Sequence, residues 1–311
     1  MRAVDSVAGL LHGARAREAF LLRSVLEPPW AIRIQDQSPL TLVTVVRGSA
    51  WVLPESGANI RLGAGDVAVL RGPDPYTVAD DPGTRPQVVI HPGQRCTTAD
   101  GETPYTLTGL GVRTWGNHPD GQTVLLNGTY QLDSEISRRL LVALPALISL
   151  DADTLRNPLT GYLAEEVIRD EPGQEAVLDR LLDLLLVAVL RTWFARPEAA
   201  APGWYLALSD PVVGPALRLL QSDSARSWTV AGLAAATGSS RAGLARRFKE
   251  LIGEPPMTFL TNWRLTLAAD LLREPGATVG SVARQVGYAS PFAFSTAFKR
   301  VRGVSPAQHR R

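Results

Sequence analysis

The stretch that decides the fold is Thr278–Lys299, TVGSVARQVGYASPFAFSTAFK, read beside an earlier copy of itself, Thr229–Lys249, TVAGLAAATGSSRAGLARRFK. Each copy opens on a threonine, a residue that caps helix N-termini well. A glycine follows at the helix stop, where a left-handed backbone costs least (Gly238 and Gly287). A serine then starts a second helix. Each copy therefore predicts a helix, a glycine turn and a second helix.

Working outward, each second helix is predicted to begin after Ser240 or Ser290 and to end at Gly253 or Gly303. Between the two copies, Met257–Arg273 has the apolar spacing of an amphipathic helix. At 1.5 Å per residue it would be about 25 Å long. The last hundred residues are therefore predicted to hold two helix-turn-helix units joined by a helical rod.

The charge is distributed unevenly along the 311-residue chain. Its net charge is only +2, but residues 212–311 contain 14 Lys and Arg against 5 Asp and Glu. The remainder contains 18 against 25. A basic segment attracts phosphate because each neutralised phosphate releases condensed counterions. The distribution thus predicts a nucleic-acid module attached to an acidic body.

The last hundred residues resemble the DNA-binding domain of the AraC/XylS family of bacterial transcription regulators. The residues that support this resemblance are Gly238, Phe248-Lys249, Gly253–Pro256, Trp263–Leu265, Val282–Ser290, Phe298–Arg300 and Gly303–Pro306. In that family the second helix of each unit enters the major groove of DNA. The resemblance therefore assigns groove-facing or phosphate-contacting positions, which are Arg241, Ala242, Ala245, Arg246, Ser290, Phe292, Ser295, Thr296, Lys299 and Arg300.

Within this set the expected roles differ by chemistry. Arg246 is the best base reader, because a guanidinium grips guanine O6 and N7 with two hydrogen bonds. Phe292 either contacts a thymine methyl or packs under its helix. Ser290, Lys299 and Arg300 are expected on phosphates, which position the protein without specifying sequence. Spacing places four other side chains in the core: Leu244, Phe248, Phe294 and Phe298. Arg247 and Lys249 are either further phosphate contacts or a solvated helix face.

The first two thirds of the chain have a different sequence pattern from the last hundred residues. From about residue 30 to 130, short alternating segments separated by Gly/Pro turns predict a sandwich or barrel. Gly65-Asp66-Val67 and Tyr130 resemble the cupin-like domain of one AraC subfamily. After about 133, Leu140, Leu141, Leu144 and Leu147 recur at helical spacing. Gln174–Phe194 predicts a helix with one broad apolar face. Its run Leu184–Leu190 is apolar all round, which predicts burial against the β-domain or against a second chain.

The expected architecture is α+β. Residues 1–132, with a short helix or loose arm over 1–19, form a cupin-like β-barrel sensor domain. Residues 133–195 form a helical dimerisation or relay region, and 196–211, rich in Pro, Gly and Ala, a linker. Residues 212–311 form the all-α domain with two helix-turn-helix units.

Candidate ligand-binding residues lie in the β-region. Aromatic walls of an apolar pocket are expected from Trp51, Tyr76, Trp115 and Tyr130, although core aromatics would show the same pattern. His91, Cys96 and His118 are candidates for a thiolate–imidazole metal or redox site. Arg95 beside Cys96 would lower the thiol pKa and make it reactive; the alternative is an inert thiol.

Several function classes are disfavoured. A metal-dependent cupin enzyme needs about three histidines and a carboxylate, but no His-x-His occurs, and Tyr76 stands where cupins commonly place a ligand histidine. We therefore expect no catalytic residues, metal or cofactor. The single cysteine excludes an intrachain disulfide and fits a reducing compartment. The longest apolar run, Leu184–Leu190, falls short of the roughly 20 residues of a membrane span, so we expect a cytoplasmic protein.

The sequence predicts a sequence-specific DNA-binding transcriptional regulator, controlled by a small-molecule or redox signal sensed in the N-terminal domain. The expected partners are double-stranded DNA, an effector that is a small molecule or an oxidant, a second copy in a homodimer, and RNA polymerase if the protein is an activator. No membrane is expected. Two alternatives stay open: a metal-dependent cupin-type enzyme fused to a DNA-binding module, and a constitutive architectural DNA-binding protein.

Overall fold

The computed structural model describes residues 20–100, 103, 108–130, 135–199 and 201–310. They divide into two compact units. The strand unit holds the described residues up to 130 together with 141–199, and the helical unit holds 135–140 and 201–310. The arm expected over residues 1–19 lies outside the described residues.

The strand unit is built from two facing sheets. Its strands are β1 (Phe20–Leu26), β2 (Ala31–Ile34), β3 (Leu40–Arg47), β4 (Ser49–Pro54), β5 (Ile60–Gly63), β6 (Val67–Arg71), β7 (Tyr76–Ala79), β8 (Val88–His91), β9 (Arg95–Thr98), β10 (Thr108–Gly111), β11 (Thr114–Gly116), β12 (Thr123–Tyr130) and β13 (Leu147–Leu150). One sheet has the order β10-β11-β1-β12-β3-β6-β13 and the other β5-β4-β7-β2-β8-β9. The cupin-like domain expected as a barrel is thus a two-sheet sandwich.

The core of this unit lies between the sheets. Val43 and Val45 on β3 and Ala50 and Val52 on β4 are fully buried, each pair two residues apart. Side chains of a strand alternate between its two faces, so these four side chains lie in the layer between the sheets. The other face of β3 is buried too, at Leu40 and Leu42. Burial of each of these valine side chains contributes roughly 1.5–3 kcal/mol. The alternating segments of the sequence are therefore explained by a shared hydrophobic layer.

The structure corrects the reading of residues near 147. Leu147 was expected to continue a helical pattern, but α1 (Glu135–Ala143) ends before it. Leu147–Leu150 instead forms β13, which pairs antiparallel with β6 at the edge of the larger sheet. Four residues are too few to distinguish a helical period from a strand, and the open edge of β6 decides.

Helices follow the last strand of the unit. They are α2 (Ala152–Leu155), α3 (Leu159–Glu166) and α4 (Gln174–Phe194). The hydroxyl of Tyr130 donates to the carbonyl of Leu182 at 2.9 Å, and Gly128 leaves room for the Leu182 side chain. α4 therefore packs on β12 of its own unit. Its outer face is not covered within the chain, since Val177 is 45% exposed and Leu184 is 54% exposed. The β-domain therefore does not bury Leu184, which leaves burial against a second chain as the alternative for that side chain.

The helical unit contains α5 (Gly203–Ser209), α6 (Val213–Ser222), α7 (Val230–Ala236), α8 (Arg241–Ile252), α9 (Pro256–Leu271), α10 (Val279–Gln285), α11 (Pro291–Arg302) and α12 (Pro306–His309). Two cores, one around Phe248 and one around Phe298, share α9, which supplies Trp263 to the first and Leu265 to the second. α5 lies in the segment expected as a linker, and its Ala207 is fully buried.

None of the helices in the described part of the chain is long and apolar enough to cross a membrane.

Candidate DNA interface and sensor cavity

The first helix-turn-helix unit follows its local sequence signals. The Thr229 hydroxyl accepts from the Gly232 N–H at 3.0 Å and starts α7. Gly238 has a φ of +64°, the left-handed conformation expected at the turn. The Ser240 hydroxyl accepts from the Gly243 N–H at 3.1 Å and starts α8. Satisfying the first free N–H groups fixes where each helix begins, so the predicted start of α8 is confirmed.

The second unit repeats these signals. Thr278 and Ser281 form a reciprocal capping box at the start of α10. Gly287 turns the chain with a φ of +81°. The Ser290 hydroxyl accepts from the Ala293 N–H at 3.2 Å, and Pro291 occupies the first turn of α11, where no N–H is needed. The hydroxyl hydrogen of Ser290 stays available to an acceptor such as a phosphate.

The outward face of α8 carries the positions assigned to the groove. Arg241, Ala242 and Arg246 are exposed and Ala245 is half-buried. The opposite face buries Leu244 and Phe248 completely. The predicted division of α8 into a core face and a presented face is thus observed. Two of its four assigned positions are alanines, which offer a base only a methyl contact.

The outward face of α11 carries more kinds of side chain than that of α8. Phe292 is 84% exposed, so the alternative that it packs under the helix is wrong. Thr296, Lys299 and Arg300 are exposed and Ser295 is half-buried. The two core phenylalanines of this helix, Phe294 and Phe298, are fully buried, as predicted. An exposed phenylalanine in the first turn of a helix is positioned to contact an apolar group of a partner.

Ion pairs distinguish the two helices. Arg246 pairs with Glu250 at 3.1 Å along α8, and Arg247 pairs with Asp210 at 3.0 Å. Although burial opposes ionisation, two backbone N–H groups and Arg247 hold the pKa of Asp210 below its usual value. Arg247 therefore anchors the start of α6. Among the described residues, Lys299 has no carboxylate within salt-bridge distance, so its charge is free for a phosphate.

Within the helical unit, the two helix-turn-helix units meet at a polar junction. Arg264 of α9 donates from Nε to the carbonyl of Ser224 at 2.6 Å and from Nη2 to that of Arg226 at 2.8 Å. Its guanidinium lies 6.0 Å from the ring centroid of Tyr288. Burial lowers the pKa of Arg264. One side chain thus ties the loop before α7 to the turn of the second unit.

A carboxylate that sequence reasoning missed also supports α11. Glu135, at the start of α1, pairs with Arg302 at 2.7 Å, Arg138 at 2.8 Å and Arg273 at 3.6 Å within the helical unit. Burial opposes its charge, but Arg302 and the other two cations lower the pKa of Glu135. Because Arg302 belongs to the last turn of α11, this cluster fixes that end of the helix.

A cavity lies inside the strand unit. It encloses about 520 Å³ of empty space, mouth included, of which about 40 Å³ admits the centre of a water-sized sphere. Its apolar walls are Leu22, Ile32, Ile34, Val78, Ile90 and Leu125. Its other walls are Asp36, Thr41, Tyr76, Gln94, Trp115, Asn127 and Thr129. The cavity combines an aliphatic lining with a few polar groups, as small-molecule sites do.

Two of the four predicted aromatic walls lie at this cavity. Tyr76 and Trp115 line it, whereas Trp51 and Tyr130 do not. The Tyr130 hydroxyl is instead engaged by α4. Burial raises the pKa of Tyr76, opposed by its hydrogen bond with Thr41, so Tyr76 stays a neutral phenol. Two of the four candidate aromatic residues therefore lie at one cavity, and the other two lie elsewhere.

The three residues considered for a metal or redox site are engaged otherwise. Both ring nitrogens of His91 have partners, Gln35 at 3.1 Å and Thr97 at 2.8 Å. His118 accepts from the Asp120 N–H at 3.1 Å. The Cys96 thiol donates to the Gln94 carbonyl at 3.6 Å, and burial raises its pKa, opposite to the effect expected from Arg95. No group of three or more His, Cys, Asp or Glu within the described ranges is arranged to hold a metal ion.

The cavity residues that sequence reasoning missed show a pattern in β12. Leu125, Asn127 and Thr129 lie two residues apart and all line the cavity. An asparagine on the inward face of an apolar strand is unusual, and it was the available signal. Asp36 and Thr41 gave none, because they come from a loop and a strand end that meet only in the folded domain.

Comparison with known proteins agrees with this geometry. A Cupin family model matches residues 5–195, and a helix-turn-helix domain model matches residues 233–311. A cupin sandwich followed by a pair of DNA-reading units defines a class of transcription regulators.

Relatives identify the family. The chain is 35% identical to an AraC-like transcription regulator of Streptomyces lividans, over 99% of this chain and 98% of that protein. It is 33% identical to one of Streptomyces antibioticus, over 99% of each. It is 27% identical to the regulator AlkR of Acinetobacter baylyi, again over 99% of each. The chain belongs to the AraC/XylS family of transcriptional regulators, and it is a DNA-binding regulator with an N-terminal cupin domain.

Proposed function

We propose that this regulator reads a bipartite DNA site with α8 and α11 and changes its DNA binding when a small molecule occupies the cavity of the strand unit. The observation that carries the proposal is the cavity itself, an aliphatic-lined space in a unit separate from the reading helices. A signal acts by binding two arrangements of the protein with different affinities.

On the DNA side, the presented side chains support distinct roles. Arg246 reads guanine from α8, with Arg241, Ala242 and Ala245 beside it. Phe292 contacts a thymine methyl from α11, with Ser295 and Thr296 as lesser readers. Phosphates are bound by the remaining set, which is Ser290, Lys299 and Arg300. Direct base contacts of these kinds specify sequence, whereas phosphate contacts set the register.

The signal we favour is a small molecule over an oxidant. The raised pKa of Cys96 keeps the thiol protonated, and the thiolate is the form that oxidants attack. We expect Cys96→Ser to leave the response to hydrogen peroxide, measured as a change in DNA affinity, identical to that of the unchanged protein. A peroxide response present in the original chain and lost in Cys96→Ser would instead establish an oxidant signal.

The protein partner we propose is another copy of the chain, paired through the outer face of α4. Val177 and Leu184 lie two turns apart on that face and leave it apolar and exposed. Leu184→Glu should shift the sedimentation equilibrium from dimer to monomer. Val142→Glu, at an exposed position on α1, is the matched control. Equal effects of the two substitutions would reject α4 as the interface. If the protein activates transcription, RNA polymerase is a further partner.

A competition shift assay tests the central claim. Duplexes selected from a random pool by the full chain are competed against unselected duplex at physiological salt. Specific readers prefer their site by roughly 10³ or more. A preference below about tenfold would reduce the protein to an architectural DNA binder.

A further inference from the structure

We propose that the cavity of the strand unit takes an uncharged small molecule with an apolar body and a hydrogen-bond acceptor, and that the indole N–H of Trp115 donates to that acceptor. This inference rests on the proposed function and adds the chemical class of the effector. It is carried by three features of the cavity wall: its aliphatic lining, its charge, and one buried donor.

The lining sets the body of the ligand. Six aliphatic side chains from β1, β2, β7, β8 and β12 form much of the wall. A polar ligand surface placed against them would lose its hydration without gaining hydrogen bonds. An apolar surface loses no hydrogen bond to water and is favoured by burial. The body of the molecule that faces these side chains is therefore apolar.

The charge of the wall excludes an anion. No arginine, lysine or histidine of the described chain lines the cavity, and Asp36 does. A carboxylate or phosphate would lose its water shell beside a like charge and find no cation. Each carboxylate oxygen of Asp36 already accepts a hydrogen bond from Ser38, one from its backbone N–H at 3.0 Å and one from its hydroxyl at 2.6 Å, so neither oxygen depends on a ligand cation for a partner.

One donor at the wall has no partner. Trp115 is 7% exposed, and its buried Nε1 has no hydrogen-bond acceptor among the residues that the structure describes. Trp30, Trp193 and Trp263 also have unpartnered indoles, but within the described residues Trp115 alone of the four lines this cavity. An unmade buried donor costs free energy that an acceptor on the ligand recovers. Tyr76 is less suited, since Thr41 already bonds its hydroxyl.

The free volume limits the size. The space open to the centre of a water-sized sphere is about 40 Å³, where one water needs about 10–15 Å³ by the same measure. The cavity is therefore narrow and suits a single small ring or a short chain. A drug-sized molecule would require the sheets to move apart.

Four matched probes test the proposal on the full chain. Acetophenone has an aromatic body and an acceptor, toluene lacks the acceptor, benzoate is an anion and benzylamine is a cation. Saturation-transfer NMR titrations measure each affinity. We expect acetophenone to bind most tightly, toluene more weakly, and benzoate and benzylamine at least tenfold more weakly than acetophenone.

Trp115→Phe then isolates the donor, because it keeps an aromatic ring and removes only the N–H side of the indole. Acetophenone affinity should fall about two- to twelvefold, the range for one net hydrogen bond, while toluene affinity stays within twofold. Trp30→Phe, at another buried indole without a partner, should change neither. Circular dichroism confirms that both variants fold.

The results separate this inference from the proposed function. The chemical class is overturned if acetophenone does not bind, or if benzoate or benzylamine binds as tightly as acetophenone. It is also overturned if Trp115→Phe leaves the acetophenone affinity unchanged. The competition shift assay on the same ligand-free protein decides sequence-specific regulation independently. A chain that prefers its selected duplex and rejects acetophenone is a regulator with a different effector class.

Discussion

The two helix-turn-helix units are copies of one pattern that present different chemistry. Both second helices end alike, with Gly253 donating to the Lys249 carbonyl and Gly303 to the Lys299 carbonyl, each at 2.9 Å. On α8, however, Arg246 and Arg247 are engaged by carboxylates of the same unit. On α11, Lys299 has no such pair within the described part of the chain, and Phe292 is exposed to solvent. The duplication thus preserves the scaffold, while the presented side chains have diverged.

We expect the largest effect on stability at the turn glycines, where Gly287→Ala should cost more than Gly238→Ala. A Cβ at Gly287 would lie 2.7 Å from the Ala225 Cα and still closer to its carbonyl oxygen, whereas a Cβ at Gly238 would meet nothing within 4 Å. Gly238→Ala should cost only the left-handed backbone strain of about 1–2 kcal/mol. Gly287→Ala adds a backbone clash and should cost about 3 kcal/mol or more. Differential scanning calorimetry of the full chain compares the two; equal losses would mean that the loop at Ala225 moves aside freely.

A smaller effect is expected from the base readers. Arg246→Ala should lose about 1–3 kcal/mol of discrimination at one or two base pairs of one half-site. Phe292→Ala should relax the other half-site, at a thymine, by a smaller factor. Binding profiles over single-base variants of the selected duplex measure both. Uniform weakening across all variants would assign the residue a phosphate or structural role instead.

We expect a cation that has no carboxylate partner to contact phosphate, and a cation already paired with a carboxylate not to. Lys299→Ala should reduce the slope of log affinity against log salt by about one. Arg247→Ala should leave that slope unchanged, because Asp210 already engages the guanidinium. Titrations between 50 and 200 mM salt give both slopes. Equal slope changes would show that Arg247 leaves Asp210 to reach the DNA.

The smallest effect concerns Glu250. Glu250→Gln keeps the shape of the side chain and releases Arg246, so DNA affinity should rise about two- to fivefold, the range for an exposed ion pair. Glu254→Gln is the matched control, since that carboxylate accepts from Asn262 at 2.7 Å. A rise of the same size in both variants would reflect net charge alone.

Local signals were sufficient to predict the helical unit. The caps at Thr229, Ser240 and Ser290 and the turn at Gly287 each act within four residues, so they can be read from the sequence and are observed in the structure. The presented face of α8 follows from the same periodicity. The Arg246–Glu250 pair has the i,i+4 spacing that favours such contacts, and it could have been predicted too.

Contacts between distant segments could not be predicted in this way. Leu147 is a strand residue only because β6 leaves an open edge 77 residues earlier in the chain, at Leu70. The raised pKa of Cys96 follows from burial, which the adjacent Arg95 does not reveal. The cavity required residues from several strands to converge, so the sequence identified Tyr76 and Trp115 but could not separate them from Trp51 and Tyr130.

The junction at Arg264 has a consequence for the operator. Because its guanidinium binds the carbonyls of Ser224 and Arg226 and lies over the ring of Tyr288, α8 and α11 keep a fixed angle to each other. Each base pair inserted between the half-sites turns one of them by about 35° relative to the other. Under the proposed function, in which α8 and α11 read one duplex, the spacing of the half-sites is therefore recognised together with their sequence. A genomic site with both correct half-sites but one extra base pair between them would then bind only one of the two helices, α8 or α11.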